Sequence, residues 1–230
     1  MYSRRQNVDN FYNILWEAEQ KFGLWDCKKL AEAHLSNKFY DSGVYFFYEP
    51  GELRAGHKNW GRIVRVGTHR VSLGKTATLF DRLKNHFGKE DGSGGNSSIF
   101  RVHVGSAMTG KADWWTGQPL KYTEKIQKEI SRFMGALKFV VLPVNDDSGS
   151  DSDRSAIEKG TIALLSNYNV EEFEHIDPPS TSWLGARCIT KSPERISRSG
   201  LWNVHHVKRF PDPGVLELMN KWLKNSTKLQ

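Results

Sequence analysis

Cysteine is nearly missing from this chain. Cys27 and Cys188 are the only two in 230 residues, far apart and outside any Cys-x-x-Cys pairing, which excludes a disulfide framework and a cysteine-rich zinc site. Long apolar runs are missing too. Val44 to Tyr48 and Phe139 to Leu142 fall far short of the roughly 20 residues that a membrane helix needs, so no membrane span is expected. Arg4, Arg5, Asp9, Glu17, Glu19 and Lys21 break up the apolar core that a secretion leader would require, and a cytoplasmic location is the expectation. No internal repeat, heptad run or extended low-complexity tract occurs.

What is present suffices for a packed core: 38% hydrophobic and 12% aromatic residues support one substantial domain with extensions. The expected division is a helical extension over 1–40, a main domain with inserted loops over 41–210, and a closing helix over 211–230. Lysine and arginine outnumber acids 33 to 26, a net charge of +7, which favours a polyanionic partner without identifying one.

Phe11, Ile14, Leu15, Ala18 and Phe22 recur at helical spacing before Gly23, and Cys27 to Leu35 predicts a second, shorter helix. Gly43-Val-Tyr-Phe-Phe-Tyr48 reads as a strand, Glu49-Pro-Gly51 as a turn, and Arg62-Ile-Val-Arg-Val66 as the hairpin partner. Thr78 caps a helix whose Leu79, Phe80, Leu83 and Phe87 face the core, leaving Arg82 and His86 side by side on a neighbouring face. After a flexible loop over 88–97, Ile99-Phe-Arg-Val-His-Val104 alternates like a half-buried strand. Lys121 to Met134 predicts an amphipathic helix and Leu137 to Val144 a central strand. Ser155 opens a helix through Leu165 after a polar linker, Asp177-Pro-Pro-Ser180 begins a long irregular region, and Val215 to Leu223 is the last helix. The fold class is α+β.

Two apparent motifs fail on spacing. Gly74-Lys75-Thr76 resembles the end of a phosphate-binding P-loop, but that pattern needs glycine where His69 stands. The acidic run from Asp146 to Asp153 lacks the glycine and the closing glutamate of an EF-hand.

The order of Gly43-Val44-Tyr45, Arg65-Val66-Gly67, the helix with Arg82 and His86, the strand 137–144 and the helix with Glu158 resembles the GIY-YIG nuclease family. Arg65-Val-Gly-Thr-His69 and Ser199-Gly-Leu-Trp-Asn203 look closest to its bacterial members that carry RVGTH and SGLWN. The resemblance spans about residues 43 to 207. It implies a small central antiparallel sheet flanked by helices, and a magnesium-dependent endonuclease, with Mn²⁺ as a substitute, that cuts DNA, duplex DNA first of all.

The resemblance also implies roles. Tyr45 would act as general base on the attacking water, and Arg82 would grip the scissile phosphate with its planar fork. His86 would orient a phosphate oxygen or a water, and Glu158 would be the metal ligand, because a hard cation prefers carboxylate oxygen. Asn203 would position substrate, with Asn169 as the competing choice. Arg65 stands where the family has a second tyrosine, so it could bind phosphate or favour ionisation of Tyr45, with His69 supplying a polar contact; it could also mark a degenerate site that binds nucleic acid without cutting. Arg62, Arg70, Lys75, Lys84 and Lys89, with His69 and His205, are the expected DNA contacts.

Each assignment has a structural rival read from the residues alone. Tyr45 also fits core packing in an aromatic strand, Arg82 a solvated helix face beside Asp81 and Lys84, and Asn203 a turn. Ser155-Ala-Ile-Glu158 has the spacing of a capping box, in which Glu158 bonds back to the helix start.

Overall fold

The computed structural model describes residues 3–36, 38–69, 77–95, 97–111, 122–147, 149–169, 175–190 and 192–228. In chain order its elements are α1 (Arg4–Phe22), β1 (Leu24–Trp25), α2 (Cys27–Leu35), β2 (Gly43–Leu53), β3 (Gly61–Gly67), α3 (Leu79–Phe87), α4 (Ile99–Thr109) and α5 (Glu124–Ala136). Then follow β4 (Lys138–Pro143), α6 (Asp153–Leu165), a 3₁₀ turn (Leu184–Arg187), α7 (Pro193–Ser199) and α8 (Gly214–Asn225). The four strands form one antiparallel sheet in the order β1-β4-β2-β3. The fold is α+β, as the sequence implied.

Alternation along the strands sorts the two faces of this sheet. Tyr45 pairs with Gly67 and Val141, and Phe47 with Arg65 and Phe139, so these residues share one face. That face packs on α3 and α4: Phe47 meets His86, Phe87 and Phe100 at ring distances of 5.9 to 6.2 Å. The opposite face carries Val44 and Phe46, and α1, α6 and α8 lie over it, with Phe11 edge-on to Phe46 at 5.6 Å. One continuous core runs from Val8 to Leu223, so the first and last helices are packed into the same body as the sheet.

β3 is an edge strand, and an unpaired edge invites aggregation. Here Leu201–Asn203 covers it. Trp202 N donates to Val64 O at 2.7 Å, and the Asn203 side chain takes both polar groups of Val66, accepting from its N at 3.1 Å and donating to its O at 2.8 Å.

Three local expectations give way. Residues 99–104 form the first part of helix α4, not a strand: Ser98 caps the helix, and the buried apolar positions Phe100, Val104 and Ala107 follow a period of 3.6 rather than 2. β2 runs through Glu49-Pro-Gly51 to Leu53, which pairs with Gly61, so the chain reverses at residues 54–60 instead. The capping box at Ser155 and Glu158 does not form. Ser152 caps α6 by accepting from Ser155 N, which leaves the Glu158 carboxylate free for other partners.

A candidate phosphate-handling site beside β3

Arg65 is the hub. Its strand position aims it onto the same sheet face as Tyr45, where the guanidinium donates to Trp202 O at 2.7 Å and lies 4.6 Å over the Phe100 ring. It also contacts the Tyr45 phenol, and Arg82 and Glu158 both lie within electrostatic range. Burial lowers its pKa from the usual arginine value, because a guanidinium enclosed by an aromatic ring and strands loses much of its hydration.

Tyr45 is wholly enclosed, yet its hydroxyl is not idle: it sits 2.8 Å from His86 Nε2. Glycine at position 67 makes room, since a Cβ there would collide with the Tyr45 hydroxyl. The other ring nitrogen, His86 Nδ1, lies 2.8 Å from Ser98 Oγ, which also accepts from Arg101 N as the cap of α4. His86 is held well below its ordinary pKa, first by burial and then by the positive field of Arg65, Arg82 and Arg101. The imidazole is therefore neutral at pH 7.

Arg82 stands one helical turn before His86, half-buried, in range of Arg65, His86 and Glu158. Glu158 reaches from α6 to the end of β3, where its carboxylate accepts the Thr68 amide. Burial pushes its pKa above the usual carboxylate value, against the opposing pull of Arg65, Arg82, Thr68 and Lys159. The assembly of two guanidiniums, one carboxylate and a neutral imidazole paired with the Tyr45 hydroxyl carries excess positive charge. It suits an anion whose charge grows during reaction.

Tyr45, Arg65, Arg82, His86 and Glu158 are thus brought together by four different elements. Asn203 lies next to them, but Val66 occupies both ends of its amide, so it fixes the chain around Trp202 O, the acceptor of Arg65. Asn169 lies elsewhere, half-buried and donating to Lys208 O at 3.2 Å. His69 is buried two residues beyond β3. Arg62, expected to bind DNA phosphates, is instead locked inside: Nε and Nη2 bond Glu52 at 2.9 and 2.8 Å, Nη1 donates to Gly200 O, and Trp183 lies under the guanidinium. Lys84, Lys89 and His205 are exposed, as a backbone contact requires. Arg70 and Lys75 lie outside the described residues.

Sequence reasoning missed three contributors: Ser98, Thr68 and His103. His103 follows Phe100 by three residues and so shares its helix face, the face that covers Arg65. Its Nδ1 is 2.8 Å from Thr190 Oγ1, while its buried Nε2 has no hydrogen-bond partner. Burial, then Arg65 and His205, push its pKa down to about 3. A helical reading of residues 99–104 would have placed it.

Among the described residues no cluster of three or more His, Cys, Asp or Glu side chains could hold a metal. A lone half-buried carboxylate still fits a hard cation that keeps most of its waters and shares phosphate oxygens. The raised pKa of Glu158 marks a charge whose lost hydration such a cation would replace. No described helix is long and apolar enough to cross a membrane.

A family model described as a GIY-YIG domain matches residues 2–229 of the chain. No curated protein and no solved structure matches it.

Proposed function

The chain belongs to the GIY-YIG domain family, and with that nuclease-type hydrolase fold as premise we propose that it is a Mg²⁺-dependent endonuclease that hydrolyses DNA phosphodiester bonds. The observation that carries the reading is the gathering of Tyr45, Arg65, Arg82 and Glu158 around one spot of net positive charge.

Hydrolysis needs a deprotonated water, a counter-charge for the phosphorane-like transition state and help for the departing oxyanion. Tyr45 takes the proton of the water. Ser98 Oγ accepts the Arg101 amide; with its own hydrogen turned to His86 Nδ1, the neutral imidazole would carry its proton on Nε2, facing the Tyr45 oxygen. That donor and the Arg65 guanidinium together favour the phenolate that a general base requires. Arg82 holds non-bridging oxygens with its forked donors. Glu158 would hold Mg²⁺, or Mn²⁺ in its place, and the bound ion would supply Lewis acidity toward the phosphate. Arg65, in the place of the family's second tyrosine, contributes charge where a phenol would contribute only a hydrogen bond. Asn203 acts by holding the Trp202 carbonyl on Arg65. Lys84, Lys89 and His205 are exposed and, with Arg70 and Lys75, are the proposed contacts to backbone phosphates.

The test is a plasmid incubated with the protein at low salt with Mg²⁺ or Mn²⁺ over a range of pH. Nicked or linear product is expected, and its disappearance in Glu158→Gln with DNA binding retained. The enclosure of Tyr45 favours a second reading, a module that binds nucleic acid without cutting; an uncut plasmid under every condition, with salt-dependent binding intact, would establish that one instead.

A further inference from the structure

The catalytic arrangement leaves helix α1 without a task, but on the far side of the sheet that helix helps to build a cavity of about 440 Å³. Tyr12 and Trp16 of α1, Tyr48 of β2 and Trp60 wall it. Tyr48 follows Tyr45 by three strand positions, so it points to the opposite face, roughly 10 Å along the strand. The volume falls in the range of small-ligand sites. Trp16 and Trp60 are 54% and 38% exposed, and two wet indoles at one cavity are a feature of recognition surfaces rather than of a spare surface.

Two of the aromatic walls, Tyr12 and Trp60, are fixed in advance. The Arg54 guanidinium lies 4.0 Å over Tyr12 and 5.8 Å from the Trp60 ring, itself tied to Asp9 and Asp177 at 2.7 and 2.8 Å. His57 stacks on Trp60 at 5.4 Å and 23°. Ordering of this kind lowers the entropic cost of binding. Glu19, Asn59 and the exposed Lys138 supply polar groups beside the aromatic walls. Burial raises the pKa of Glu19 against the opposing pull of Lys138 and Lys29, and a cationic guest would meet the Lys138 charge at the rim. A neutral planar ring with a polar edge meets no such opposition.

We propose that this cavity receives an unstacked nucleobase of the bound nucleic acid, its faces against Trp16 and Trp60, its edge toward Asn59 and Glu19, and its phosphate at Lys138. The choice of ligand rests on the nucleic-acid reading above; the cavity does not. The substrate class becomes DNA with an unpaired base near the cut, because a base inside an intact duplex cannot reach an aromatic wall without flipping.

The full chain is titrated, in Ca²⁺ to hold off cutting, into a duplex with 2-aminopurine at one unpaired position and into the fully paired control. Quenching on the unpaired probe is expected, lost in Trp16→Ala and Trp60→Ala with affinity weakened roughly 5- to 100-fold, as one stacking contact commands. Trp16→Phe should restore most of it, and the fully paired duplex should be bound equally by all variants. Should Trp60→Ala fail to fold, the exposed Trp16 pair of variants carries the test. Unchanged quenching and affinity in Trp16→Ala, or a tighter grip on the paired duplex, overturns the proposal, as would competition by a methylated-lysine peptide but not by a nucleotide. Loss of quenching in a protein that cuts nothing keeps this inference and sinks the nuclease reading; cutting by a protein whose Trp16→Ala variant binds every probe normally does the reverse.

Discussion

The Tyr45 hydroxyl and His86 Nε2 lie 2.8 Å apart, and neither ring is open to solvent. A phenol in that position ionises only if its surroundings stabilise the oxyanion. Among the described residues, His86 and Arg65 offer polar groups to it. Replacing His86 by Ala is expected to cut kcat/KM about 10²- to 10⁴-fold, the usual range for a group engaged in proton transfer. His86→Gln, which keeps a hydrogen-bonding group toward the Tyr45 oxygen, should recover part of that rate. No recovery in a folded His86→Gln protein, with the loss in His86→Ala matched by lost stability, would reduce His86 to a packing residue.

Gly67 makes the same site possible from the other strand. A methyl group at this position would occupy the place of the Tyr45 hydroxyl, and the ring is boxed in by Phe47 and His86, so it has nowhere close to retreat. Gly67→Ala should therefore abolish cutting through displacement of Tyr45. Overpacking of this kind costs about 1–3 kcal/mol in stability, which urea unfolding would report alongside the activity assay. Full activity in a stable Gly67→Ala protein would mean that Tyr45 is not the base.

Glu158 and Ser152 separate a chemical role from a structural one. Ser152 caps α6, so Ser152→Ala should lower stability by about 1 kcal/mol and leave kcat near the wild-type value. Glu158 holds no cap, and burial raises its pKa in the folded protein. A carboxyl whose folded pKa exceeds its unfolded value favours folding while protonated and opposes it once charged, so its cost appears as pH rises through the ordinary value and the raised one. Glu158→Gln should thus raise Tm at pH 7 relative to wild type, lose that advantage near pH 4, and cut no DNA. A lower Tm at pH 7 would return Glu158 to the architecture.

The legible parts of this molecule were those encoded by neighbours in sequence. Thr78 caps α3 as expected, and the aromatic, β-branched run Gly43 to Tyr48 forms the expected strand. The order of Tyr45, Arg65, Arg82 and Glu158 pointed to one spot, and the fold places them there. Ile99 to Val104 misled because valine, isoleucine and intervening polar residues fit a strand and a buried helix equally well over six positions. Arg62 and Arg65 look alike in sequence; only the partner each meets, Glu52 across the hairpin for one and Trp202 O beyond the edge of β3 for the other, distinguishes a structural ion pair from a site residue. The capping-box spacing at Ser155 was overridden by Ser152, three residues earlier, a competition that spacing alone does not resolve.

The same contrast among basic residues is measurable. Lys84 and Lys89 are exposed, so Lys84→Ala and Lys89→Ala should weaken DNA binding for all sequences alike and reduce the slope of log K against log salt by about one each, with Tm unchanged. Arg62→Ala leaves Glu52 buried without its partner, and loss of one member of such a pair costs about 3–5 kcal/mol. Its defect should therefore be in folding, with the salt slope of the remaining native protein unaltered. A salt slope lowered in a fully stable Arg62→Ala protein would contradict the buried geometry.

His103 gives the last expectation, and its sign can be worked out. Its folded pKa is pushed down to about 3, below the ordinary histidine value of about 6.5, so the folded protein prefers the neutral ring. Stability from this group is complete above pH 6.5 and drains away as pH falls toward the folded value, by about 1.4 kcal/mol per pH unit. His103→Gln removes the titration while leaving a side chain able to meet Thr190. Urea unfolding of both proteins at pH 7.5 and pH 5 should show the wild type losing more stability on acidification than the variant. If Nε2 of His103 faces phosphate beside Arg65, the variant also loses roughly 10-fold in kcat/KM at pH 7.5, about what one hydrogen bond to a charged group is worth. Equal acid sensitivity in the two proteins would mean that the ring is hydrated, and its contact with the site would fall with it.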